Sequence, residues 1–203
     1  MSMDTYQTIK SVSRGLYKDK GSKFISIAHP IDTEEEASAI LSEVKQQYHD
    51  ARHHCYAWVI GNQQEKHKFN DDGEPSGTAG RPIFGQILSA GLTNVLIIVV
   101  RYFGGTKLGV RGLINAYKGA ANEAIQNNKI ITKTVRDHYR IHFDYLSMNE
   151  VMQVLKEHDL PQSAHDFEMR CKLDFSVRKL ISKEVLGKLE KINEIEIQYL
   201  FTK

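Results

Sequence analysis

Three groups of side chains in this sequence could do chemistry. Asp71, Asp72 and Glu74 form an acidic cluster, and with His53 and His54 upstream they could hold a metal ion for hydrolysis. Residues 104–112, GGTKLGVRG, place Lys107 and Arg111 in a glycine-rich run of the kind that cradles phosphate. Cys55 beside a histidine could act as a nucleophile.

Strand geometry argues against the first and third. HHCYAWVI (53–60) is rich in β-formers and ends at Gly61-Asn62, so it reads as a strand. Neighbouring residues on a strand point to opposite faces, which puts His54 with Tyr56 and Trp58, and His53 with Cys55 and Ala57. Both histidines then cannot serve one metal. Cys55 falls mid-strand, away from a helix N-terminus that would favour a thiolate, and reads as a packing residue. Asp71, Asp72 and Glu74 are expected to structure their loop by accepting backbone N–H bonds, or to pair with Arg81 or Arg101. Ser76 and Thr78 read as turn and cap residues.

The glycine-rich run is open to two readings. Gly104 to Gly109 satisfies G-x-x-x-x-G, but Val110-Arg111 stand where a Walker A loop needs Lys and Ser or Thr, and no G-x-G-x-x-G aligns. No nucleotide cofactor is expected. One remaining reading is a loop whose amides and cations contact nucleic-acid phosphates; the other is a tight turn that needs glycine at positive φ. A glycine turn can do both. Beside it, Tyr102 and Phe103 are candidates for stacking on RNA bases, while Tyr117 should face the core.

Positioning these loops requires the elements around them. Thr33 and Glu36 make a T-x-x-E box, and Ala37, Ile40, Leu41, Val44 and Tyr48 follow at helical spacing, which predicts a helix over 33–49. A strand is predicted before it, at 24–28, and another at 66–69. Pro82 fits a first helical position, with Ile83, Phe84, Ile87 and Leu88 as an apolar stripe that stops at Gly91. VLIIVV (95–100) has the unbroken apolar character of a central strand. The next helix sets Leu113, Tyr117, Ala120 and Ala124 on one face and Arg111, Asn115, Lys118 and Asn122 on the other. From about Lys129 the pattern restarts: a strand through Tyr145, a helix opened by a Ser147/Glu150 box, a strand over 167–175, a helix carrying Val185 and Leu189, and a strand over 194–201. That order suggests a ferredoxin-like βαββαβ unit.

Composition agrees with a folded chain of two small domains, split at 1–132 and 133–203: 203 residues, 41% hydrophobic and 26% charged. The longest aliphatic run is six residues, so no export or membrane route is expected. Cys55 and Cys171 fit no metal or redox spacing, and the expected location is the cytoplasm. Net charge is only +2, yet Pro75 to Asn122 contains no Asp or Glu while carrying Arg81, Arg101, Lys107, Arg111 and Lys118. A buried segment would be short of Arg and Lys as well.

NDDGEPSGTAGRPIFG (70–85) and RYFGGTKLGVRGL (101–113), with HHCYAWVIG upstream, resemble the two diagnostic blocks of the YigZ/Impact family. The resemblance implies an α+β fold in which a two-layer N-terminal domain is similar to the second domain of a small-subunit ribosomal protein and to domain IV of elongation factor G. The C-terminal domain would be ferredoxin-like, similar to domain V of the same factor. It also implies a link to translation. Where relatives read LGxGGLxRAY this chain reads LGVRGLINAY, so Arg111 replaces a small residue and Asn115 the usual base, one helical turn apart on a shared face.

Residues and resemblance together predict a regulatory, non-enzymatic protein that needs no cofactor and no metal. It would bind RNA or the ribosome through Arg81, Arg101, Gly104, Gly105, Lys107, Arg111 and Lys118. The alternatives are a hydrolase built on the acidic loop and a histidine, and an adaptor that docks a protein partner.

Overall fold

The computed structural model describes residues 4–167 and 170–203. The chain divides into two compact units, Tyr6–Lys133 and a second that joins Asp4 and Thr5 to Thr134–Lys203. The first described residues thus belong with the C-terminal unit. The buried Asp4 carboxylate accepts from Arg178 Nε and Nη2 at 3.1 and 3.3 Å, and its carbonyl accepts from Val135 N at 2.7 Å.

The N-terminal unit runs β1 (Thr5–Ile9), β2 (Ser13–Asp19), β3 (Ser22–Pro30), α1 (Glu34–Gln47), β4 (His53–Ile60), β5 (Lys66–Asn70), α2 (Gly80–Ser89), β6 (Val95–Tyr102) and α3 (Gly109–Gln126). Next comes β7 (Ile130–Thr134), which pairs with β1 in a two-stranded ribbon. The main sheet has the order β2-β3-β6-β4-β5 and is antiparallel throughout. Its centre is VLIIVV, where all six side chains are fully buried because both sheet faces are covered. Val95, Ile97 and Val99 pack with Cys55, Ala57 and Val59 against α2 and α3. Leu96, Ile98 and Val100 pack with Trp58 and Ile60 against Ala37 and Val44 of α1. To the expected pair of sheet and helical layer, α1 adds a third layer on the opposite face.

Local signals explain most of these elements. The Thr33/Glu36 box forms as a pair: Thr33 Oγ1 accepts from Glu36 N, and the Glu36 carboxylate accepts from Thr33 N. Pro82 sits two residues inside α2, which begins at Gly80 and not at the proline. The helix starts earlier because its N-terminus is capped from elsewhere in the chain, as described below.

The C-terminal unit runs β8 (Arg136–Asp144), α4 (Met148–Glu157), β9 (Gln162–Phe167), β10 (Arg170–Arg178), α5 (Ser182–Leu189) and β11 (Glu196–Thr202). Its sheet order, β11-β8-β10-β9, is the ferredoxin-like arrangement. Ile141, Phe143, Leu173 and Val177 of the sheet meet Val151 and Leu155 of α4 and Val185 and Leu189 of α5 in one core. One sequence expectation is corrected here. The Ser147/Glu150 box does not form, because Ser147 takes helical backbone angles at the end of a short 3-10 turn and turns its hydroxyl to the Asn193 carbonyl. The strand expected over 167–175 is present from Arg170 as β10, and β9 (Gln162–Phe167), which pairs antiparallel with it, is an addition; residues 168 and 169 lie outside the described residues.

Candidate functional site

The acidic loop is a cap. After β5, Asp72, Gly73 and Gly77 take positive φ of 43°, 87° and 77°, and these turns fold the loop back on itself. Asp71 Oδ1 accepts from Ala79 N and Gly80 N at 3.0 and 2.8 Å, and Oδ2 accepts from Gly77 N at 2.8 Å. One carboxylate therefore serves three amides at and before the start of α2, the charged cap that a helix N-terminus favours. Asp72 ties the loop to β4: Oδ2 accepts from His54 N at 2.6 Å, its carbonyl lies 2.8 Å from His53 Nδ1, and Lys45 Nζ lies 3.2 Å from Oδ1. Thr78 Oγ1 donates to the Pro75 carbonyl at 2.6 Å, and Ser76 is exposed on the loop. His53 and His54 diverge as their strand positions require; the His54 ring is buried, with Nε2 3.1 Å from the Tyr48 carbonyl.

Glu74 reaches into the fold. Its Oε1 accepts from Arg101 Nη1 at 2.6 Å and from the Tyr117 hydroxyl at 2.8 Å, and Tyr117 Oη lies 3.3 Å from Cys55 Sγ. This chain of four side chains joins the loop to β6, α3 and β4. Burial pushes the Cys55 thiol and the Tyr117 hydroxyl far above their ordinary pKa values, so both stay protonated and Cys55 is no nucleophile. Arg101 consequently leaves the expected surface patch: its side chain is 9% exposed, and its guanidinium lies 5.5 Å from the Phe24 ring centre and 5.7 Å from that of Phe103. An arginine this deep is tolerated because Glu74 supplies the opposite charge and the two rings cover its faces.

The glycine-rich run makes a different kind of loop. Gly104 sits so close to the β2–β3 turn that a Cβ there would lie inside the backbone of Gly21 and Ser22, and its N–H donates to Ser22 Oγ at 3.1 Å. Gly105 and Gly109 take positive φ of 88° and 73°. The loop then delivers Lys107, exposed, to the start of α3, whose N-cap position holds Leu108, with no side-chain cap and no acidic residue in the first turn. Arg111 and Lys118 are exposed along α3, and Arg81 is exposed in the first turn of α2.

Between the two loops opens a cleft of about 890 Å³, within the range of ligand-binding pockets. Its lining brings together Arg52 just before β4, His53 at the start of β4, Glu74, Arg101, Phe103 and Lys107. Phe103 is 57% exposed. Asp50, also at the cleft, accepts from the Tyr102 hydroxyl at 2.7 Å, and this bond raises the Tyr102 pKa to about 12. Sequence reasoning missed Arg52 and the cleft itself, because its walls come from segments some fifty residues apart that carry no shared pattern. Among the described residues, no three His, Cys, Asp or Glu side chains cluster closely enough to hold a metal ion, and no helix is long and apolar enough to cross a membrane.

The family profile described as the Impact N-terminal domain matches residues 20–125, the stretch that contains both loops and the cleft. The IMPACT family member YigZ of Escherichia coli (strain K12) is 37% identical over 142 residues, which cover 69% of this chain and 70% of that one. The IMPACT family member YvyE of Bacillus subtilis (strain 168) is 34% identical over 155 residues, 76% of this chain and 71% of that one. A crystal structure of a hypothetical protein, 29% identical, superposes with a TM-score of 0.72 over 98% of both chains. With its two signature loops, the cleft between them and relatives that match along most of its length, the chain belongs to the IMPACT family.

Proposed function

We propose that the protein is a translation-associated regulator that binds RNA, on its own or on the ribosome, and works without catalysing a reaction. The observation that carries this reading is the distribution of charge. From Pro75 to Asn122 the chain has no carboxylate, and four of its five cations, Arg81, Lys107, Arg111 and Lys118, are exposed. Cations held out to water with no acid in the same stretch suit a phosphate backbone. The exposed ring of Phe103 beside Lys107 adds a surface on which a base can stack. Family membership supports the link to translation.

The groups a hydrolase would use are engaged in holding the fold. Asp71 and Asp72 accept backbone amides, Glu74 is bonded to Arg101 and Tyr117, and one His53 nitrogen is held by the Asp72 carbonyl. This supports a binding role over the hydrolytic alternative.

Co-sedimentation with ribosomes and filter binding of single-stranded RNA, each across a salt series, test the proposal. Affinity should fall steeply with salt, and the double variant Arg111→Ala/Lys118→Ala should bind more weakly with a shallower slope, by roughly 0.7 for each phosphate contact removed. Absence of binding by the wild-type protein to both RNA and ribosomes at about 50 mM salt would end this reading.

A further inference from the structure

Two features of the cleft are not used by general contact with an RNA backbone. The first is the N-terminus of α3. The leading amides of a helix have no partner within it and carry the positive end of its dipole. In this 18-residue helix no side chain among the described residues caps them, and Gly109 and Val110 of its first turn line the cleft. The second is Arg101. Its side chain is more than nine-tenths buried and lines the same cleft, Glu74 engages Nη1, and the buried Nε has no partner among the described residues. With Nη1 held by Glu74 and Nε covered and unsatisfied, Arg101 sets a buried positive charge in the wall of the same cleft that the uncapped α3 amides line.

The charges facing this spot favour an anion. Arg52 and Lys107 line the cleft, while its two carboxylates are both engaged, Glu74 by Arg101 and Tyr117, and Asp50 by the Tyr102 hydroxyl. Phe103 offers an exposed ring whose centre is 5.7 Å from the Arg101 guanidinium. Uncapped amides, two exposed cations and a flat apolar ring lining one cleft fit a phosphate with a base attached. A terminal phosphate monoester carries a charge of about −2, against about −1 for an internal diester, and gains more from a helix N-terminus.

We propose that this cleft holds the phosphate-bearing end of a single-stranded RNA, with the phosphate at the α3 N-terminus and Lys107 and the terminal base against Phe103. The proposal rests on the RNA-binding reading and narrows it to one site. A free nucleoside monophosphate shares the same chemistry, and the experiment separates the two sources.

The test measures fluorescence anisotropy with single-stranded oligoribonucleotides of roughly eight nucleotides, labelled on an internal base, that carry a 5′-phosphate, a 3′-phosphate or hydroxyls at both ends. AMP serves as competitor, and its binding is also measured directly by calorimetry. One of the phosphorylated strands should bind about tenfold more tightly than the hydroxyl strand, on the scale of a charge-assisted hydrogen bond, and AMP should compete for it. Lys107→Ala and Phe103→Ala, both at exposed side chains, should each remove that preference. Arg111→Ala/Lys118→Ala should weaken all three strands by a common factor. Equal affinity of the wild-type protein for the three strands overturns the proposal and leaves general RNA binding standing. A preference that survives Lys107→Ala overturns it too. AMP binding without binding of any strand assigns the cleft to a free nucleotide and overturns both the strand end and the RNA-binding reading.

Discussion

The two signature loops solve the same problem in opposite ways. Each leads from a strand into a helix packed on the same face of the sheet, so each must deal with the orphaned amides of a helix N-terminus. The loop after β5 brings its own anion: Asp71 satisfies the amides of Gly77, Ala79 and Gly80. The loop after β6 brings Lys107 and no acid, and Leu108 at the N-cap position of α3 offers no acceptor. A helix capped by its own chain is closed to an outside anion, while one left uncapped beside a cation is open to it. The acidic loop therefore reads as scaffold and the basic loop as contact surface. Glu74–Arg101 is the link between them, scaffold on one side and cleft wall on the other.

If the acidic loop is scaffold, breaking it should show first in stability. The largest effect is expected from Glu74→Ala, which leaves the Arg101 guanidinium buried and unpaired. Chemical denaturation should give a loss of about 3–5 kcal/mol, the usual range for removing one partner of a buried pair. A variant of unchanged stability would mean that Arg101 reaches water and the scaffold reading is wrong. Asp71→Ala should follow, at about 2–3 kcal/mol, because a charged cap serving three amides exceeds a single-bond cap. Should Asp71→Ala lose RNA binding at unchanged stability, the roles of the two loops would be reversed.

How much of this was legible depended on whether partners were close in sequence. The Thr33/Glu36 box was legible because both bonds close within four residues, and the β4 alternation was legible because strand periodicity is local. The same S/T-x-x-E pattern at Ser147 misled, since a 3-10 turn places that serine in helical conformation and the Asn193 carbonyl takes its hydroxyl. Asp71 accepts backbone amides, the bonding that its residue type favours in a loop. That these belong to the start of α2, six to nine residues on, depended on loop turns that no residue type specified. Arg101 stood in two readings, as a partner for the acidic loop and as a cation of the surface patch; the pairing with Glu74, 27 positions away, takes its guanidinium out of that patch. The cleft was invisible because Arg52, Glu74 and Lys107 meet only after the sheet is assembled in the order β3-β6-β4.

The contrast between the helix starts can be erased from the other side. Val110 occupies the first turn of α3 and is 61% exposed, so Val110→Glu puts there the negative charge that α2 receives from Asp71. An acid in the first turn of a helix stabilises it by about 0.3–1 kcal/mol. Thermal unfolding should therefore shift slightly upward while binding of phosphorylated RNA weakens, two effects of opposite sign from one substitution. Weaker binding with a lower melting temperature would instead indicate a packing defect, and unchanged binding would show that the α3 N-terminus contacts no anion.

The smallest effect belongs to the feature that sets this sequence apart from the family pattern it resembles. Arg111 stands where that pattern has a small residue, and Asn115, one turn further along α3, where it has a base. Both are exposed and lie one turn apart on a shared helix face, the arrangement expected if the cation has been moved towards the glycine loop rather than lost. If position along the face is what matters, Arg111→Ala should weaken RNA binding by about twofold to threefold, the effect of losing one exposed phosphate contact, and reduce the salt slope by roughly 0.7. Adding Asn115→Arg to that variant should then restore part of the loss, since the new cation faces the same side from about 6 Å further along the axis. Full affinity for Arg111→Ala would leave the shifted arginine without a role. Failure of Asn115→Arg to rescue a weakened Arg111→Ala would tie binding to the start of α3, next to Lys107, and so sharpen the division between a closed helix N-terminus and an open one.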